Sequence, residues 1–179
     1  MAHVTEIIRQ RLGEVVENPL RLDLTAARQI CDWLNRHLGS EYVLYHQYKK
    51  HHWVVAGPDF RDLHKLFDKH AEAVREMADE IAERITYLGG VPVSGPAQLE
   101  QHAYVKPEPE GILDLRRMVE NDLAINQEII VHVRPHIGQC EQLGDPGTAH
   151  QLREWLVVHE KLAHELQMLL EKVSLTKGW

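Results

Sequence analysis

Thirteen histidines in 179 residues, roughly three times average usage, make metal chemistry the first possibility to test. One stretch concentrates the ligand types: His64, Asp68, Asp79 and Glu83 form two i, i+4 pairs. On a helix all four project within an arc of about 100°, centred roughly 130° from the apolar stripe of the same stretch. They point away from the core that this stripe would build. Asp68 and Asp79 stand about 16 Å apart along the axis, too far for one copy to wrap all four round an ion. Yet His64/Glu83 and Asp68/Asp79 share a midpoint between residues 73 and 74. Two copies packed antiparallel about a two-fold axis there would set His64 and Asp68 of one against Asp79 and Glu83 of the other. Such an isologous contact builds two identical sites, and imidazole with carboxylate suits iron, manganese or zinc. His52 lies just before Gly57-Pro58, near enough in the chain to join His64 and Asp68. The plainer reading of the four is a solvated charged face, and of His52 a packed, hydrogen-bonded side chain.

Other signatures fail. There is no G-x-G-x-x-G, phosphate loop, G-x-S-x-G or C-x-x-C. His159-Glu160-Lys161-Leu162-Ala163-His164 misses the zincin spacing by one residue, which turns its imidazoles about 140° apart. No Glu has a His three residues later, so the Glu-x-x-His pair of internal di-iron bundles is missing.

Gly and Pro divide the chain into the elements that must position these residues. Asp23 and Thr25 offer caps for a helix from Ala26 to about Val55, with Ile30, Leu34, Leu38, Tyr45, Tyr48 and His52 at helical spacing. A second runs from Asp59 to Leu88 and stops at Gly89-Gly90. Its stripe is Phe60, Leu63, Phe67, Val74, Ala78, Ile81, Ile85 and Leu88. Residues 89–110 hold Pro92, Pro96, Pro107 and Pro109 and read as a long connection, with a short helix around Gln98 to His102. A third helix spans Gly111 to Leu143, with a kink expected at Pro135. After the turn Gly144-Asp145-Pro146-Gly147-Thr148, a fourth covers Ala149 to Val173. Short first and last connections make antiparallel neighbours, and the long middle one lets helices two and three run parallel. The pattern predicts an all-α, ferritin-like four-helix bundle with a long crossover. Residues 1–21 and 176–179 are expected to be tails flanking a bundle over 22–175.

Composition narrows the function. A 20.7 kDa chain of mean hydropathy −0.37 has no run of the ~20 apolar residues needed to cross a bilayer. Cys31 and Cys140 form no C-x-x-C, read as buried thiols, and suit a reducing cytoplasm. Net charge −7 argues against a dedicated nucleic-acid binder. Residues 1–21 hold three arginines, no lysine and three glutamates, and the C-terminus adds Lys172 and Lys177. That is too few clustered cations for strong phosphate attraction.

His52-Trp53, Gly57, Phe60, Leu63-His64, Phe67-Asp68, Asp79, Ala82-Glu83-Arg84 and Leu88-Gly89-Gly90-Val91-Pro92 closely resemble the signature of the Dps family of mini-ferritins. The family pattern is His, eleven residues, His, three, Asp, ten, Asp, three, Glu, and every interval is reproduced. Gly144-Asp145 followed by Thr148 is also similar to the family. The resemblance spans residues 22–173 and is most specific over 52–92. It implies a hollow homododecamer with ferroxidase centres at two-fold interfaces. His52, His64 and Asp68 would come from one subunit, and Asp79 with a bridging Glu83 from its partner. The implied activity is oxidation of ferrous iron by hydrogen peroxide or dioxygen, with ferric iron stored inside. By the same resemblance Trp53 is a candidate electron donor or radical trap; its plainer role is interfacial packing.

Two positions and the N-terminal tail depart from the pattern. His164 stands where relatives carry tryptophan beside the metal; a coordinating side chain there would add a ligand and admit zinc, unless it only hydrogen-bonds. His150 replaces an acidic residue near the three-fold pore, leaving Glu141 and Asp145 as candidate liners or as ordinary helix-end carboxylates. The balanced tail implies weak or no DNA binding. The alternatives to iron oxidation are a nucleoid-compacting protein with a vestigial metal site and, more remotely, a hemerythrin-type bundle with its metals inside one subunit.

Overall fold

Asp23 starts the first helix by accepting hydrogen bonds from the N–H groups of Thr25 and Ala26, two of the donors that a helix start leaves unpaired. The computed structural model describes residues 8–171. The elements are α1 (Leu24–Val54), α2 (Phe60–Tyr87), the short α3 (Pro96–His102), α4 (Leu115–Gln142) and α5 (Pro146–Leu170), with no strand among the described residues.

Side-chain bonds between helices fix their directions. Cys31 meets Ile85, and Lys49 meets Asp68; His37 meets His136, and His51 meets Asp122. Between α2 and α5, His70 meets Glu165 and Arg84 meets Thr148. Each of these pairs is antiparallel, so α2 and α4 run parallel and residues 88–114 carry the chain back along the bundle. Gly39 lets that crossover settle on α1: a Cβ there would stand 2.4 Å from the Leu99 carbonyl oxygen.

Two boundaries differ from the expected ones. Gly111 takes φ 114°, a left-handed conformation outside the helical region, and α4 begins four residues later. α5 starts at Pro146 instead of Ala149, because proline suits the first helical position and Asp145 caps it by accepting from the Thr148 N–H. α4 continues through Pro135 to Gln142.

The α2 stripe packs as expected, except that Phe60 stays exposed at the helix start. In α1 the core side chains are Ile30, Leu34, Leu38, Leu44 and Tyr48, followed by His51 rather than His52. The buried face keeps a seven-residue repeat through Ile30, His37, Leu44 and His51, so His52 stands one position off it. Cys31 and Cys140 are buried, and burial pushes their thiols up to about 11 and about 12, so they are inert at neutral pH.

The described part of the N-terminal stretch lies against the bundle. The Val16 N–H and the Gln10 amide both donate to the Gly89 carbonyl, at 3.0 and 2.8 Å. Residues 176–179, Lys172 and Lys177 fall outside the described residues.

Candidate metal centre

The turn between α1 and α2 brings His52 and His64 face to face. Their rings stack at 3.7 Å between centroids with planes 21° apart, and Phe60 lies against His64. His52 Nδ1 bonds the His64 carbonyl and His64 Nδ1 bonds the His52 carbonyl, each at 2.8 Å. A carbonyl only accepts, so both Nδ1 atoms carry the hydrogen. In the neutral rings Nε2 is left with its lone pair, the arrangement a metal-binding imidazole uses. Asp68 Oδ1 lies 3.9 Å from His52 Nδ1. The Lys49 ammonium sits on that same oxygen at 2.6 Å and holds the Asp68 carboxyl below the usual range.

Asp79 and Glu83 occupy the other end of α2, on the exposed surface. The Tyr87 hydroxyl donates to Glu83 Oε2 at 3.2 Å. The backbone beneath them is well anchored: the Trp155 indole donates to Glu80 at 2.7 Å, and Arg84 reaches Asp145 Oδ1 at 2.7 Å and the Thr148 hydroxyl at 2.8 Å.

One chain therefore gathers His52, His64 and Asp68 at one end of α2 and leaves Asp79 and Glu83 at the other. None of the five is buried. Among the described residues of a single chain, no three His, Cys, Asp or Glu side chains come close enough to hold a metal ion. His164 is exposed on α5, next to Glu165, whose carboxylate bonds His70. That register sets His164 near the level of Ala71, mid-α2. Trp53 is 68% exposed and lines a groove with Tyr42, His46 and Glu110.

Asp145 is a correction. It is 5% exposed and engaged by Arg84 and Thr148, so it closes the α4–α5 turn and is no free pore carboxylate. Glu141 pairs with Arg153, and exposed His150 lies 3.5 Å from Glu154.

Sequence reasoning missed a polar network inside the bundle. His51 lies between Asp122 Oδ2 and Glu108 Oε1, both at 2.8 Å. Burial works to lower its pKa, but the two carboxylates outweigh burial and raise it; burial in turn raises Asp122. Asn126 donates to the Tyr48 oxygen and the Asp122 carbonyl and faces His159 Nδ1, whose Nε2 meets Glu41 at 2.9 Å. Asp122 and Asn126 at i, i+4, opposite Gln47, Tyr48 and His51, were the available signal, hidden among ordinary polar residues of α1 and α4.

Residues 31–176 match the model of the ferritin-like domain, and fold and match together define a ferritin-like protein. A curated relative, the DNA protection during starvation protein of Halobacterium salinarum, is 46% identical and aligns over 95% of this chain and 94% of its own. The nutrient stress-induced DNA-binding protein of a Nostoc species is 39% identical over 98% and 95%. The crystal structure of an archaeal Dps homologue from Halobacterium salinarum superposes with a TM-score of 0.93 at 44% identity, covering 97% of both chains. A Dps protein from Vibrio cholerae, described as a member of a broad superfamily of ferritin-like diiron-carboxylate proteins, gives 0.82 at 25% identity over 88% and 99%. The chain belongs to the Dps family, within the ferritin-like diiron-carboxylate proteins. No helix among the described residues is long and apolar enough to cross a membrane.

Proposed function

We propose that this protein binds and oxidises ferrous iron at centres shared between two-fold related subunits and stores the ferric product inside a hollow homododecamer. His52, His64 and Asp68 of one subunit and Asp79 and Glu83 of another hold the iron. The observation that carries this reading is the reciprocal His52–His64 bonding, which occupies both Nδ1 atoms and leaves both Nε2 lone pairs available for ligation. Two ferrous ions give one electron each to hydrogen peroxide, which takes two protons and leaves as two waters; dioxygen is the alternative oxidant. Consuming iron and peroxide together suppresses hydroxyl-radical formation. Ferrous-oxidation kinetics, with the mass of the assembly, test the reading.

Lys49 supplies the positive charge at Asp68 that an incoming ion would replace. An exposed ion pair is worth at most about 1 kcal/mol, so Lys49→Met should tighten ferrous or cobaltous binding up to ~5-fold. Calorimetric titration giving equal or weaker binding would discard this role.

His164 we assign as an additional ligand that admits zinc, since imidazole suits zinc as well as iron. Zinc has no redox chemistry and would leave only the other position of a centre active. In a metallated crystal His164 nitrogen should lie about 2.0–2.1 Å from the ion, and His164→Trp should weaken zinc binding. Unchanged zinc affinity in that variant refutes the assignment. Trp53 stays a candidate electron donor at the same centre.

DNA binding is the second reading, favoured by the names of the two relatives. The balanced charges of residues 1–21 support only weak binding. Gel retardation of plasmid DNA should be slight at ~0.15 M salt, and tight retardation there would favour the second reading.

A further inference from the structure

About 22 Å along α1 from His52, a second group of aromatic and imidazole side chains takes no part in the iron centre. The Tyr104 hydroxyl, from the crossover, lies 2.7 Å from His37 Nδ1. His37 Nε2 lies 2.8 Å from His136 Nδ1 on α4. Trp33 stacks on His136 at 4.6 Å and 13°, and His132 stacks on Tyr104 at 4.0 Å and 23°. His37 is 1% exposed, whereas Trp33, Tyr104, His132 and His136 are half-buried. The Tyr104 N–H is fixed by the Ser40 hydroxyl.

We propose that Tyr104, His37 and His136 form a proton-coupled redox relay, with Trp33 as its outer port, that quenches strong one-electron oxidants such as hydroxyl radical. The inference rests on the iron reading for the source of that oxidant.

The bonding pattern carries it. When the phenol donates to His37 Nδ1, His37 Nε2–H donates to His136 Nδ1, and His136 Nε2–H is left at the half-buried end. Burial and the neighbouring charges hold His37 far below the ordinary histidine range, and burial with His132 lowers His136 to about 4. Both rings are therefore neutral bases at neutral pH. Oxidation of a phenol is easiest when its proton leaves with the electron, and a chain of bases can move that proton without stranding charge beside the core. Trp33 gives one electron to hydroxyl radical and regains it from Tyr104. The phenol proton moves to His37 Nδ1 as the Nε2 proton passes to His136, which releases one proton to water. Hydroxyl radical, with that electron and proton, becomes water, and Tyr104 is left as a neutral phenoxyl radical.

A flash-oxidised ruthenium complex supplies the test on the iron-free assembled protein, read by tyrosyl absorption and electron paramagnetic resonance. Wild-type protein should form the radical, more slowly in D2O, and Tyr104→Phe should lose most of the signal although four other tyrosines remain. His136→Gln keeps an acceptor for His37 but cannot pass the proton on; its radical should form slowly and without the isotope effect. Full signal in Tyr104→Phe, or an unaltered rate and isotope effect in His136→Gln, overturns the relay. Because no iron is present, failure here leaves the iron reading intact. A relay that works in a protein unable to oxidise ferrous iron would overturn that reading alone.

Discussion

Assemblies reconstituted from equal amounts of His64→Ala and Asp79→Ala subunits should recover about one quarter of the wild-type ferroxidase centres, although each variant alone has none intact. The arithmetic follows from a centre split across a two-fold axis. Random pairing makes half of the interfaces mixed. In a mixed interface both lesions fall in one centre, and the other keeps His64 from one chain and Asp79 from its neighbour. Initial rates of ferrous oxidation read the result, with each parent assembly as the baseline. Mixtures no faster than their parents, or full activity in either parent, would remove the shared centre. The effect is large because each variant deletes one of the few donors proposed for a centre, and within one chain the two groups stay at opposite ends of α2.

Asp145→Ala should be among the most destabilising single changes in the chain. Its carboxylate caps α5 through the Thr148 N–H, accepts from the Thr148 hydroxyl and neutralises Arg84, whose side chain is 12% exposed. Removing one partner of a buried pair costs ~3–5 kcal/mol, and the lost cap adds about 1 kcal/mol. At this chain length the melting temperature should fall by about 10 °C or more. Glu160→Ala is the control: its pair with Arg134 has both side chains exposed, 44% and 57%, and should matter by less than about 1 kcal/mol. Thermal melts at one protein concentration compare the two, and equal midpoints would contradict the role given to Asp145.

The four long helices were legible because each obeys a local rule: an apolar stripe of period 3.6, a cap at Asp23 and a stop at Gly89-Gly90. The polar face of α2 that carries the candidate donors was legible for the same reason, since helical spacing alone separates His64, Asp68, Asp79 and Glu83 from Phe67, Val74, Ala78 and Ile81. What escaped was set by tertiary contact. No local rule says that His51 turns inward and His52 outward, because the choice depends on what packs against α1, above all Asp122, 71 residues away. Nor does the sequence show that Asp145 is engaged by Arg84, which reaches it from α2. The cluster of His37, Tyr104 and His136 joins three elements and has no spacing to read.

The two ends of α2 are also anchored differently. Beneath Asp79 and Glu83 the helix is tied to α5 by Glu80 and Arg84, and just beyond it Gly89 receives two bonds from the N-terminal stretch. His52 and His64 flank the turn between helices and hold mainly each other. Each shared centre would thus set a rigid anvil from one subunit against a compliant jaw from the next. Ions of unequal radius would then be gripped by movement of the jaw alone, while the anvil would keep its shape.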